Sequence, residues 1–161
     1  MGRVITRMEA KPKIVLGMTI YNKAQFIGEA LDSILSQSYS EFKIVALDDA
    51  STDATASIMA KYVEQDSRIT YIRNPTNIGQ IANFRKAFQC AQQIEPNIDY
   101  FAWVTDHDVW AAEWVEELLK CLKADPEAVL AYPETTAISG SGETIPVKFP
   151  RFETKGMSKA K

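Results

Sequence analysis

The chain has 161 residues, a formal net charge of −3, 46% hydrophobic and 24% charged residues. That is the length of one domain, with enough apolar residues to bury a core. The mild acidity excludes the basic footprint of a nucleic-acid-binding protein, and no apolar run reaches the ~18 residues that a membrane span needs.

The start of the chain, residues 1–12, reads as a basic, polar tail. It lacks the apolar segment of a secretory leader. Cys90 and Cys121 each fall inside a predicted helix, at a spacing that fits no metal motif. Both are read as small core residues in a reducing, cytoplasmic compartment.

Residues 13–19 form an apolar run rich in β-branched side chains and predict a central first strand. Asn22 suits a helix N-cap and Gln25 a capping box. Phe26, Ile27, Ala30, Leu31, Ile34 and Leu35 follow at helical spacing, to about Gln37. Residues 42–47 predict a second buried strand that ends in Asp48-Asp49-Ala50-Ser51-Thr52-Asp53. Ser51, Thr52 or Asp53 can start the next helix, which carries Ile58, Met59 and Tyr62, while Asp48 or Asp49 meets a ligand.

A short strand over 69–72 and a turn-rich link lead into a helix over about 80–91. Residues 100–104 then predict a buried strand that runs directly into Asp106-His107-Asp108. Trp110, Trp114, Val115, Leu118, Leu119 and Leu122 mark an amphipathic helix, stopped at Asp125-Pro126. A further strand is expected over 128–132, and a hairpin over 134–149, broken at Gly140-Ser141-Gly142. Residues 151–161 read as a polar tail, which leaves one domain over 13–150.

Four strand–helix alternations imply right-handed crossovers and an α/β fold: a mostly parallel, Rossmann-like sheet with helices on both faces. Ligands of such sheets sit past the carboxyl ends of the strands. Thr19, Tyr21, Asp48, Asp49, Asp106 and Asp108 all fall there. Two carboxylates one residue apart are costly unless a cation lies between them, and Mg²⁺ takes one or two carboxylates and draws its other ligands from phosphate and water. There is no Gly-x-Gly-x-x-Gly after the first strand and no Gly-x-x-x-x-Gly-Lys-Ser/Thr. Backbone cradles for a dinucleotide or a triphosphate are therefore missing, and a metal on Asp-x-Asp would have to neutralise a diphosphate instead.

Five segments, in this order, carry a resemblance: Met18-Thr19-Ile20-Tyr21-Asn22-Lys23, Ser33-Ile34-Leu35-Ser36-Gln37-Ser38-Tyr39, Leu47-Asp48-Asp49-Ala50-Ser51-Thr52-Asp53, Asn77-Ile78-Gly79 and Thr105-Asp106-His107-Asp108. From residue 13 to about 133 the chain resembles family 2 glycosyltransferases of the GT-A fold. The resemblance implies metal-dependent, inverting transfer of a sugar from an NDP-sugar, UDP-sugar first, to a saccharide or lipid-linked acceptor hydroxyl. It implies that Thr19 and Tyr21 frame the base, that Asp49 contacts it with Asp48 more structural, and that Asp106 meets the ribose. Asp108, with Asp106, would hold Mn²⁺ or Mg²⁺. His107 is read as a spacer pointing away from the metal, and Trp110 as a core residue of its helix.

The chain departs from the family pattern after Gly79. Where the family has Ala-Arg-Asn, it carries Asn83-Phe84-Arg85, and Arg85 is the candidate for a phosphate or base contact. Family members continue into an acceptor region with a catalytic base, usually an Asp. No residue here matches that motif, so the base is expected beyond Lys161. The alternative to an enzyme is a donor-binding module that lacks the acceptor half. A position at the membrane surface would then come through missing parts or partners.

Overall fold

The computed structural model describes residues 11–147. Four strands, β1 (Ile14–Ile20), β2 (Phe42–Asp48), β3 (Ile69–Arg73) and β4 (Tyr100–Thr105), form one parallel sheet in the order β3-β2-β1-β4. Helices α1 (Ile27–Leu35), α2 (Thr55–Gln65) and α3 (Gln80–Ile94) make the crossovers, and α4 (Trp114–Ala124) follows β4.

The alternation along β1 sorts the two faces. Ile14, Leu16, Met18 and Ile20 pack with Ile27, Leu31 and Ile34 of α1, Met59 of α2 and Trp114, Val115 and Leu119 of α4. Val15 faces the opposite side, with Val45 and with Cys90 and Ala91 of α3. Gly17 lets α3 and β4 close on that side: a Cβ there would lie 2.6 Å from the Phe101 ring. The parallel α/β sheet with helices on both faces is therefore as the sequence predicts.

Four details differ. Asn22 does not cap α1. Its backbone is left-handed (φ 51°), and the helix begins only after a turn in which the Phe26 and Ile27 amides donate to the Lys23 carbonyl. β4 is an edge strand among the described residues, so Trp103 is 50% exposed instead of buried. Cys121 is exposed, on the outward face of α4, and only Cys90 is a core residue. The run 128–132 joins neither sheet among the described residues, and Val129 and Leu130 are 90% and 73% exposed; apolar content alone does not make a strand.

The expected hairpin exists in a shorter form. β5 (Ala137–Ile138) pairs antiparallel with β6 (Thr144–Ile145). Its remainder past residue 147 lies outside the described residues, as do 1–10 and the tail 151–161. Among the described residues no helix is long and apolar enough to cross a membrane.

Candidate nucleotide site

An open cavity of about 450 Å³ lies at the carboxyl ends of β1, β2 and β4. Thr19, Ile20, Tyr21 and Lys23 line it from β1 and the following loop. Asp49 closes it from β2, and Thr105, Asp106 and His107 from β4. Asn77, Gln80, Asn83 and Phe84, at the start of α3, form the remaining wall.

The β1–α1 loop is fastened to the β2–α2 loop by side chains that cross between them. The Asn22 amide donates to Ser51 Oγ (3.0 Å), and Asn22 Oδ1 accepts from the Thr52 amide (2.7 Å). The amides of Lys23 and Ala24 donate to Thr55 Oγ1 (3.2 Å) and Asp53 Oδ2 (3.0 Å). Asp53 Oδ1 also accepts the Thr55 amide at 3.0 Å, so Asp53 is the member of the Ser-Thr-Asp run that braces the start of α2. Partial burial opposes ionisation of Asp53, yet the Thr55 side chain and the backbone N–H donors together hold its carboxyl below the usual range.

The buried aspartates act as clasps. Asp48 is fully buried; its Oδ1 accepts from the amide and hydroxyl of Ser51 (2.8 and 2.6 Å) and its Oδ2 from the Tyr71 hydroxyl (2.6 Å). Burial, then the bond to Asp48, pushes the Tyr71 phenol well above its ordinary range. Asp48 is not part of the cavity wall, and these partners engage both of its oxygens.

Asp49, 2% exposed, does line the cavity. Its Oδ1 accepts from Asn74 Nδ2 and the Ile78 amide, both at 2.8 Å, and its Oδ2 accepts from the Gly79 amide at 2.9 Å. Gly79 has φ 85°, a left-handed conformation that suits glycine.

Asp106 is 5% exposed. Its Oδ2 accepts the Tyr21 amide (3.0 Å) and its Oδ1 pairs with His107 Nδ1 (2.7 Å). His107 is thus a partner of Asp106 and lines the cavity. Asp108 is exposed and outside the cavity wall, with Oδ2 bonded to the Thr105 hydroxyl. The loop after β4 and the start of α4 are pinned to α1 and the residues just past it: the Trp110 amide donates to Ser33 Oγ (3.1 Å), and the Val115 amide to Gln37 Oε1 (3.0 Å).

Among the described residues no cluster of three or more His, Cys, Asp and Glu could form a protein-only cation cage. Asp106 and Asp108 instead offer two hard oxygen donors beside an open cavity. That donor set fits a Mg²⁺- or Mn²⁺-type ion completed by phosphate and water.

Arg85 is exposed and off the cavity wall, because the helical phase that turns Asn83 and Phe84 inward turns the next residue out. Lys23 is the one Lys or Arg on that wall among the described residues. The sequence motifs contain Lys23, Asn77 and Asn83 but assign them no contact, and Gln80 marks only the start of a helix there. The signal for Lys23 is its place three residues past the end of β1, two after Tyr21.

The model of glycosyl transferase family 2 matches residues 16–159. An uncharacterized glycosyltransferase of Haemophilus influenzae is 30% identical over 116 residues, which is 72% of this chain and 34% of that protein. The putative teichuronic acid biosynthesis glycosyltransferase TuaG of Bacillus subtilis is 29% identical over 110 residues, 68% of this chain and 42% of that protein. Among solved structures, S. aureus TarS 1-349 in complex with UDP aligns with a TM-score of 0.61 at 24% identity, over 70% of this chain and 32% of that one. The mannosyltransferase PcManGT from Pyrobaculum calidifontis, in complex with GDP-Man and Mn²⁺, aligns with a TM-score of 0.59 at 24% identity, over 73% and 34%. This chain spans between about a third and two-fifths of the length of the two curated relatives.

Proposed function

Because the chain belongs to glycosyl transferase family 2, we propose that its cavity holds the nucleotide of an NDP-sugar, UDP-sugar first, for metal-dependent, inverting transfer of the sugar to an acceptor hydroxyl. The fold is the GT-A fold of the aligned glycosyltransferases. One observation carries the reading: Thr19, Tyr21, Asp49 and Asp106, up to 87 residues apart in sequence, line one cavity at the carboxyl ends of a parallel sheet.

In this reading Thr19 and Tyr21 frame the base. Asp49, with one lone pair of Oδ2 left after the Gly79 amide, accepts an N–H from the base edge. Asp106 orients the ribose and Lys23 faces the phosphates. Asp108, with Asp106, would hold a divalent cation, which when bound supplies Lewis-acid stabilisation of the leaving diphosphate. The acceptor is a saccharide or lipid-linked hydroxyl. The two free cysteines suit a reducing, cytoplasmic location.

Calorimetric titration with UDP, GDP, dTDP and CDP, in Mn²⁺ and in EDTA, tests the reading. Saturable UDP binding that strengthens with Mn²⁺ is expected. Failure of all four nucleotides to bind under either condition would overturn it.

A further inference from the structure

A polar relay runs from Asp49 and Asn83 on the cavity wall back to Asn74 and Lys86, which do not line the cavity. Lys86 sits on α3 one turn after Asn83 and does not line the cavity. Its Nζ donates to Asn74 Oδ1 at 2.6 Å. Asn74, 2% exposed, spends both hydrogens of Nδ2 inside the protein, on Asp49 Oδ1 (2.8 Å) and on Asn83 Oδ1 (2.9 Å). Asn83, also 2% exposed, donates its own Nδ2 to the Leu47 carbonyl at 3.0 Å. The Asn74 amide proton goes to the Asp48 carbonyl at 2.8 Å.

Each orientation in this relay is forced. A flipped Asn74 would turn its carbonyl oxygen against the Asp49 carboxylate and Asn83 Oδ1, and its NH₂ against the Lys86 ammonium. The ammonium fixes the amide, and the amide fixes Asp49. A cation at one end of such a chain also polarises the bonds that follow, which strengthens the Asn74 donor at Asp49. That matters because Asp49 is a buried carboxylate whose other described partners are neutral backbone amides.

We propose that Lys86 is a positioning residue for nucleotide recognition, acting through Asn74 to fix the Asp49 carboxylate against the 77–79 loop with its remaining lone pair toward the base. This rests on the reading of the cavity as a nucleotide site. The ligand class it favours is a base that presents a ring N–H, such as uracil or guanine. Cytosine offers a ring acceptor at the corresponding position and would face carboxylate oxygen with no proton between.

The test is a double-mutant cycle on the whole chain, with UDP and CDP affinities measured for wild type, Lys86→Met, Asp49→Asn and the double variant. Thermal midpoints confirm that each is folded. Lys86→Met is expected to weaken UDP binding about fivefold or more and to narrow the UDP-over-CDP preference. In the Asp49→Asn background the same change should have little further effect, since residues in one hydrogen-bond network couple non-additively. Lys86→Gln, which keeps a donor without the charge, is run through the same cycle as a second variant should Lys86→Met not fold.

Equal fold-losses in both backgrounds, or a Lys86→Met variant that binds UDP like wild type, would overturn the inference and leave the nucleotide site standing. A wild-type chain that binds neither nucleotide would overturn both.

Discussion

The Thr105 hydroxyl donates to Asp108 Oδ2 at 2.6 Å and accepts the Asp108 amide at 3.1 Å. This small closed turn occupies one carboxylate oxygen of the exposed Asp108 and leaves the other without a described partner. Asp106, two residues earlier, has described partners on both oxygens. The two aspartates of the Asp-x-Asp run are therefore not equivalent: Asp106 ties the loops after β1 and β4 together, and Asp108 is the one with a spare carboxylate oxygen.

The expected outcome follows from that difference. Asp108→Ala should abolish most of the gain in UDP affinity that Mn²⁺ provides, while binding in EDTA stays as in wild type. The loss in Mn²⁺ should be about tenfold or more, the scale of one charge-assisted contact of roughly 1.5–3 kcal/mol. Titration of both proteins under both conditions checks it, and an unchanged metal dependence in the variant would sink the assignment.

The strands were legible because each core strand is a continuous β-branched or apolar run, and the convergence of carboxylates followed from the rule that strand ends of a parallel sheet share one rim. What each carboxylate does was not legible. Asp48 and Asp49 are adjacent in sequence but point to different partners, Tyr71 and Ser51 for one, Asn74 and the 78–79 amides for the other. Those partners lie up to 30 residues away, and no local pattern marks them. The placement of Arg85 off the cavity wall and of Lys23 on it follows a related rule. A charge suits a phosphate only if the helix phase or loop path aims it there, and a single position along α3 decides that. The run 128–132 shows the opposite error: its apolar letters match a strand, but among the described residues it joins neither sheet.

Lys23 provides a second prediction. Its backbone is held by Thr55 and by the first turn of α1, whereas its ammonium has no partner among the described residues. Lys23→Gln should weaken UDP binding about fivefold and leave uridine binding unchanged, since one partly exposed charge-assisted hydrogen bond contributes about 1 kcal/mol. Parallel titrations with uridine and UDP separate the two effects. An equal loss for uridine would show that Lys23 shapes the loop and does not meet the phosphates.

The last prediction sets Asp48 against Asp49. Both are buried, and each removal to alanine orphans donors, so both Asp48→Ala and Asp49→Ala should lower stability, by roughly 1–3 kcal/mol for each buried group left unsatisfied. Their effects on binding should diverge. Asp48→Ala frees the Ser51 amide and the Tyr71 hydroxyl, which lie behind the wall, and UDP affinity in the folded fraction should change little. Asp49→Ala frees the Ile78 and Gly79 amides and removes the one acceptor that β2 presents to the cavity, so UDP affinity should fall about tenfold or more. Denaturant melts give the stability losses, and calorimetry well below each midpoint gives the affinities. A variant pair in which Asp48→Ala is the more damaging to binding would reverse the assignment and move the base contact to the other side of β2.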